Sequence, residues 1–204
     1  MTHGSIDAGV VIEAPAWSDG IELRTATDVQ VSAVDELRGI TPAMFAWWFA
    51  NMTAQTYQDF HPLDHAAFAW TRGKRPGEYV GATHRTHHCY GGTGPVLRSE
   101  ISFVPPQTLF PARSLDRLGG GHALAAIAHP LDEHDGPLPF EAARFVHVVL
   151  PREYGSELRS RWWLNVTADT DLDLVTHGRI RHVHEEFGYL QGFLPRLYDE
   201  QRGQ

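Results

Sequence analysis

The sequence predicts an α+β protein in which a helix precedes an antiparallel sheet and a long C-terminal helix packs on that sheet. Three observations predict this class. A Trp- and Phe-rich helical segment follows Thr41, short β-branched or alternating runs lie between about residues 78 and 166, and a helical apolar stripe begins near Ile180. The 204 residues are 42% hydrophobic, which is enough to bury one core, so we predict a single domain, 1–204.

Each early element has a local signal. Thr41 can cap a helix that starts with Pro42 and continues to near Tyr57. Residues 1–33 lack sustained periodicity, so we expect a partly irregular N-terminal arm with one strand near residues 21–25. The sheet is predicted from runs that end at Gly or Pro clusters, namely 79–86, 96–104, 122–129, 144–150 and 157–166.

The C-terminal segment has a helical period. Its apolar residues are spaced three or four positions apart, which puts them on one face of a helix: Ile180, Val183, Phe187, Leu190, Leu194 and Leu197. Pro195 lies inside this stretch and could bend it. We therefore expect a long helix whose apolar face is laid on the sheet.

Composition and charge exclude several classes of function. The formal charge is -8, from 25 acidic and 17 basic residues, and no dense Lys/Arg cluster occurs, so nucleic acid is not an expected partner. No apolar run approaches the roughly 20 residues that span a bilayer, so we expect a cytoplasmic protein without membrane contact. Cys89 is the only cysteine, so a metal would be held by His and carboxylate side chains. The oligomeric state, monomer or homodimer, is left open.

The C-terminal helix carries a candidate pair of metal ligands. His182 and Glu186 are four residues apart and differ by only about 40° around a helix, so both can reach one ion. A mixed His/Glu run is also typical of a solvated helix face, and that is the commoner meaning of an isolated pair. The pair therefore needs partners from other segments.

Two segments supply candidate partners. In the sequence FHPLDH, residues 60–65, His65 is the first choice of ligand and His61 the second, while His61 and Asp64 could equally make turn hydrogen bonds. Glu100 lies in a strand in which Ile101 and Phe103 alternate with it. Such a carboxylate usually faces solvent, but if it faced a cavity a cation would compensate its charge.

Three phrases, in this order, resemble the 2,4-diacetylphloroglucinol hydrolase family, which includes phloretin hydrolase: HPLDH at 61–65, LRSRWWLN at 158–165 and HVHEEFGYLQGFLP at 182–195. The resemblance covers roughly residues 41–198. It implies a helix-grip fold similar to the Bet v 1 and START architectures. It also implies a zinc ion, used to hydrolyse a carbon–carbon bond between an acyl group and a phenolic ring, with these ligands: His65, Glu100, His182 and Glu186.

The resemblance implies further site residues. Tyr57 sits where the family has a tyrosine that contacts substrate hydroxyls, and His147 matches its candidate proton-transfer histidine. Phe68 stands where a polar substrate contact is expected, and Trp162 or Trp163 stands where a tyrosine is expected, so the substrate should differ from those of the founding enzymes. Aromatic residues are expected to wall the cavity for a small aromatic substrate: Trp47, Trp48, Phe60, Trp70 and Trp162 or Trp163.

Two other classes of function stay open. One is a metal-dependent cyclase, isomerase or lyase that acts on a related polyketide-like phenol. The other is a non-catalytic helix-grip protein that binds an aromatic or lipid ligand. Metal content would separate the binding protein from the enzymes, and product analysis would separate hydrolysis from the other reactions.

Overall fold

The computed structural model describes residues 8–202, whose strands form one eight-stranded antiparallel sheet. The strand order is β1-β2-β8-β7-β6-β5-β4-β3, so β1 and β3 are the edges. The strands are β1 (Gly20–Thr25), β2 (Asp28–Arg38), β3 (His65–Arg72), β4 (Thr83–His88), β5 (Leu97–Val104), β6 (His122–Pro130), β7 (Ala143–Arg152) and β8 (Gly155–Asn165).

Helices flank this sheet and a long one closes the chain. They are α1 (Gly9–Glu13), α2 (Pro42–Asn51), α3 (Ala54–Phe60), α4 (Ala112–Leu115) and α5 (Arg179–Arg202). A π-helical turn, Leu174–Gly178, leads directly into α5. Among the described residues, no helix is long and apolar enough to cross a membrane.

The sheet packs on both faces because successive side chains of a strand point to opposite sides. On β6, Leu124 and Ala126 share one core with α2 and α5, whereas Ala123 and Ala125 pack with α1 on the other side. The expected apolar stripe of α5 is the centre of the first core, where four of its residues are at most 2% exposed: Val183, Phe187, Leu190 and Leu194. The predicted antiparallel sheet under a long C-terminal helix is therefore confirmed.

The five predicted strand runs correspond to β4 through β8, with ends shifted by a few residues. The largest shift is in β4, which was expected at 79–86 and lies at Thr83–His88. The strand β3, His65–Arg72, is not predicted from the sequence, because its three alanines give weak β-propensity and its pattern does not alternate.

The N-terminal arm is shorter than expected, because β2 begins at Asp28. This strand pairs with β8 along its whole length, from Asp28 opposite Asn165 to Arg38 opposite Gly155. The expected strand near residues 21–25 exists as β1, although residues 1–7 of the arm lie outside the described residues. The partner strand β8 is far away in the sequence, and local periodicity carries no information about so distant a pairing.

The helix expected from Thr41 to Tyr57 is divided in two. Thr41 caps α2 as predicted, since its Oγ accepts a hydrogen bond from the Met44 amide at 3.2 Å. A second cap follows at Thr53, whose Oγ accepts from the Thr56 amide at 3.2 Å and starts α3. The break lets α3 turn so that Tyr57 is buried beside β3.

A candidate metal centre in an aromatic cavity

Three donor atoms from two elements meet between the sheet and α5. His65 is the first residue of β3, and His182 and Glu186 lie one turn apart on α5. The His65 Nε2 is 3.3 Å from the His182 Nε2 and 3.7 Å from Glu186 Oε2, and the last two atoms are 3.4 Å apart. Donors that bind a tetrahedral zinc at about 2.0–2.1 Å lie roughly 3.3 Å from one another. The spacing therefore suits one ion of that size.

Hydrogen bonds on the far side of each imidazole orient both histidines. The Nδ1 of His65 donates to the carbonyl oxygen of Tyr57 at 2.7 Å, and the Nδ1 of His182 donates to Asp64 Oδ2 at 2.8 Å. Asp64 is itself held by the amide of Gly92, which donates to Oδ1 at 2.6 Å. A proton on each Nδ1 leaves the Nε2 lone pairs directed at the common point, as in most metal-binding histidines.

The electrostatics of this cluster favour a cation. Burial, followed by the neighbouring His182, lowers the pKa of His65 to about 3, so its imidazole is neutral at physiological pH. Burial also lowers the pKa of His182, but the hydrogen bonds with Asp64 and Glu186 outweigh burial and leave that pKa above its ordinary value. The carboxylates of Asp64 and Glu186 therefore stabilise positive charge at His182, and they would stabilise a bound metal cation in the same way.

The role of Asp64 as the group that orients His182 can be tested with asparagine. Asp64→Asn keeps the size of the side chain but removes the charge that supports the His182 ring, so zinc affinity should fall about 10- to 100-fold. Competition with a chromophoric chelator measures the change. Asp59→Asn, at an exposed residue of α3, is the control and should bind zinc as the wild type does. Equal affinity of the Asp64 variant and the control would contradict the orienting role.

His61 also lies in a group of three close donors, together with Asp64 and His182. Its Nδ1 accepts a hydrogen bond from the Asp64 amide at 3.2 Å, so its Nε2 carries the proton and donates to Glu185 Oε2 at 3.0 Å. Both ring nitrogens are therefore engaged, and the geometry favours His65 as the ligand of the FHPLDH segment.

Glu100 does not join the three other predicted ligands, which corrects the expected set of four. Its carboxylate is bound by the guanidinium groups of Arg72 at 2.9 Å and Arg85 at 3.4 Å. Arg85 is opposite Glu100 in the sheet, whereas the neighbouring pair, His84 and Ile101, lines the cavity on the other face. The buried charge that the sequence analysis assigned to a cation is compensated by two arginines.

The donors line a cavity of about 110 Å³ with mainly aromatic walls. Tyr57 stacks on His65, with ring centres 3.8 Å apart and planes within 2°. Burial, followed by the charge of Glu186, raises the pKa of Tyr57 well above its ordinary value, so its hydroxyl stays protonated. His147 lines the opposite wall beside Trp162, with ring centres 5.5 Å apart, and burial lowers its pKa to about 3.

The predicted aromatic wall is only partly formed by the expected residues. Trp162 and Phe60 line the cavity. Phe68 and Trp70 lie behind it, each packed against His84. The two tryptophans of α2 are elsewhere: Trp48 is in the core against Phe60 and Phe193, and Trp47 packs on Tyr198. The direction in which α2 presents its aromatic residues depends on how it docks against α5.

Several residues of the cavity were missed by the sequence analysis. His84, Thr86 and His88 alternate along β4 and all line the cavity, and Arg179 lines it from the start of α5. The available signal is the polar run THRTHH at 83–88, in which every second residue shares one face of a strand. A polar face of a strand is ordinarily exposed to solvent, so the sequence alone does not place it in a cavity.

A larger cavity of about 610 Å³ adjoins the first. The two share the side chains of His88, Ile101, Phe145 and Arg179 as a common wall. The smaller cavity alone is below the roughly 300–1,000 Å³ of ordinary ligand sites, whereas the two together fall within that range. A ligand larger than one ring would therefore extend past these shared side chains into the larger cavity.

The fold places the chain among helix-grip proteins of the Bet v 1 type. Similar solved structures include Ara h 8.0201, at 10% identity and a TM-score of 0.50, covering 86% of this chain and 98% of that one. Protein Ms6760 from Mycobacterium smegmatis has 11% identity, a TM-score of 0.53 and coverages of 86% and 95%. The major latex-like protein 151 from Panax ginseng has 8% identity, a TM-score of 0.54 and coverages of 82% and 97%. These likenesses establish the fold alone, and the expected helix-grip fold is confirmed.

The sequence defines the family more closely than the fold does. The profile described as DAPG hydrolase PhiG domain matches residues 16–199, so the chain belongs to that family. The resemblance noted from three short phrases is thereby confirmed, and the match begins earlier than the expected residue 41. A search among curated proteins finds no significant match. Membership of this family supports hydrolase activity in general.

Proposed function

We propose that the protein is a zinc-dependent hydrolase that cleaves the carbon–carbon bond between an acyl group and a phenolic, polyketide-like ring. The observation that carries the proposal is the set of three buried, pre-oriented donors, His65, His182 and Glu186, inside an aromatic cavity. The family supports hydrolysis of an acylphloroglucinol-like compound. The aromatic walls suit a flat ring of that kind.

The donor chemistry fits zinc. Two histidines and one glutamate are a set found in catalytic zinc sites, which keep a coordination position open for water or substrate. Without Glu100 the ligands carry one negative charge instead of two, so the site would be more strongly electrophilic than the expected set of four ligands. When bound there, zinc would supply polarisation of a substrate oxygen or acidification of a water molecule.

Side chains of the protein must transfer the protons that the reaction moves. Hydrolysis adds a hydroxyl to the acyl carbon and a proton to the ring carbon, which yields a carboxylic acid and the deacylated phenol. His147 is suited to proton transfer because its Nδ1 lies 2.7 Å from Ser160 Oγ. A hydroxyl can donate or accept, so this hydrogen bond survives in both tautomers of the imidazole. Burial lowers the pKa of His147 to about 3, so its protonated form would exist only transiently while a proton passes through Nε2.

Tyr57 has a complementary task. Its protonated hydroxyl can donate a hydrogen bond to an oxygen of the substrate, while its ring, stacked on His65, holds that ligand in place. The developing negative charge on the ring oxygens of the substrate would be stabilised by such a donor. Tyr57 and His147 are therefore the residues proposed to contact the reacting molecule.

Metal content and product identity test the proposal together. Protein purified without added metal should contain about one zinc per chain, as a site with His and Glu ligands implies. An ortho-hydroxy aryl ketone should give a carboxylic acid and the deacylated phenol, and chelation should stop the reaction until zinc is restored. Elemental analysis and chromatography of both products supply the measurements. Native protein without stoichiometric transition metal would defeat the zinc proposal.

The helix-grip fold also suits a non-catalytic carrier of an aromatic ligand, and the same cavity could serve a cyclase, isomerase or lyase. A carrier would bind an acyl-phenol without turnover even when loaded with zinc. A non-hydrolytic enzyme would convert its substrate without releasing a carboxylic acid. Release of that acid therefore separates the proposed function from both alternatives.

A further inference from the structure

Two polar side chains of β4 face the cavity without a hydrogen-bond partner in the described part of the chain. Both ring nitrogens of His84 and the hydroxyl oxygen of Thr86 are buried and unbonded. The two residues are 4% and 2% exposed. Residues i and i+2 of a strand lie on the same face, about 6.6 Å apart. The two groups are therefore neighbours on the same part of the cavity wall.

Unbonded polar groups of this kind are costly, and native proteins rarely leave them buried without a reason. The surroundings of His84 offer no compensation, because three aromatic rings enclose it: Phe68 at 5.0 Å, Phe103 at 5.1 Å and Trp70 at 5.3 Å between ring centres. Burial lowers the pKa of His84 to about 3, so the ring is neutral and offers one donor and one acceptor.

The pair is separate from the proposed metal ligands. The rings of Tyr57 and Phe68 stand between His65 and His84, with successive ring centres 3.8, 5.1 and 5.0 Å apart. Thr86 approaches the Tyr57 hydroxyl closely enough to act on it as a hydrogen-bond partner, which lowers the pKa of Tyr57 against the larger effect of burial. The contact lacks full hydrogen-bond geometry, so within residues 8–202 the Thr86 hydroxyl oxygen stays available to a ligand. A ligand oxygen in this space would lie near both groups.

We propose that His84 and Thr86 form a hydroxyl-binding subsite that receives a ring hydroxyl of the substrate. A hydroxyl both donates and accepts, which matches a neutral imidazole and a threonine hydroxyl better than an anion or a cation would. The inference rests on the proposed function for the identity of the substrate, and it narrows the class to aryl ketones with a further ring hydroxyl. The subsite itself is testable by binding alone.

Binding of phloroglucinol, a trihydroxylated ring without an acyl group, to the zinc-loaded protein is the test, measured by titration calorimetry. His84→Leu removes both hydrogen-bonding atoms and should weaken binding about 10- to 100-fold. Thr86→Val is nearly isosteric and should weaken it about fivefold. His84→Gln retains a donor and an acceptor and should restore most of the affinity.

The control is His87→Leu, on the same strand but facing outward, where His87 lies 3.2 Å from Asp135. It should leave binding unchanged, and zinc content should be the same in all variants. If His84→Leu and Thr86→Val bind phloroglucinol as the wild type does, the proposal is overturned and the two groups hold ordered water only. If His84→Leu fails to fold, Thr86→Val decides the question.

Failure of the subsite and failure of the proposed function give different results. If phloroglucinol binding depends on both residues but no aryl ketone is cleaved, the subsite stands and the hydrolase proposal falls. If ketones are cleaved and neither residue affects binding or KM, the hydrolase proposal stands and the subsite falls.

Discussion

Glu186→Gln is expected to lower zinc affinity by about a hundredfold and to abolish most turnover, because a neutral amide oxygen replaces an anionic ligand. Glu186 Oε2 lies 3.4 Å from the His182 Nε2, in a cluster where no other described carboxylate comes as close to both histidine donors. The helix should persist, since Glu and Gln are similar helix formers. Chelator competition measures the affinity, and circular dichroism checks the helix.

The matched control is Glu100→Gln. It makes the same chemical change at the predicted ligand whose side chain lies on the opposite face of the sheet from the cavity. Zinc affinity should be unchanged. The free energy of unfolding should fall by only about 1 kcal/mol. The loss is small because Arg72 is largely exposed and Arg85 partly exposed, so solvent screens their ion pairs with Glu100. Loss of zinc from the Glu100 variant, with retention by the Glu186 variant, would reverse the assignment of ligands.

The second large effect is expected in substrate selectivity. An ortho-hydroxy aryl ketone should be cleaved with a kcat/KM at least about a hundredfold above that of its O-methylated analogue. The free hydroxyl donates to a protein acceptor and gives the ring access to a keto tautomer, which takes up the electron pair of the breaking bond. Methylation removes both, so the loss should appear in kcat as well as in KM.

Steady-state rates for a matched hydroxyl and methoxyl pair measure this selectivity. Competitive inhibition by the methoxyl compound supplies the control, since it shows whether that compound still enters the cavity. Equal rates for the two would rule out ring tautomerisation as the route for the electrons. Entry without cleavage, in contrast, would place the penalty in the chemical step.

Local periodicity was enough to find the part of the site that lies on α5. The four-residue separation of His182 and Glu186 is a property of the helix itself, so their common direction could be derived from sequence. The sequence predicts His65 as the ligand ahead of His61 but leaves both open. The hydrogen bonds of His61 to Glu185 and Asp64 supply the reason to favour His65, and they depend on how the loop before β3 meets α5.

Strand-borne residues were harder to assign. Alternation shows that Glu100 and Ile101 face opposite ways, but it does not say which of them faces the cavity. The pairing of β5 with β4 decides this, because it puts Glu100 opposite Arg85 and Ile101 opposite His84. The same pairing brings His84, Thr86 and His88 into the cavity, although polar residues of a strand ordinarily face solvent.

The sequence by itself determined the fold class, the family and the helical pair of donors. The fold class and the pair follow from residue spacing within single segments, and the family follows from three short contiguous motifs. Only the tertiary structure favoured His65 over His61, excluded Glu100 and placed the polar residues of β4 in the cavity. These depend on which face of a strand meets α5, and a shift of one residue in strand pairing would reverse that face without changing the local pattern.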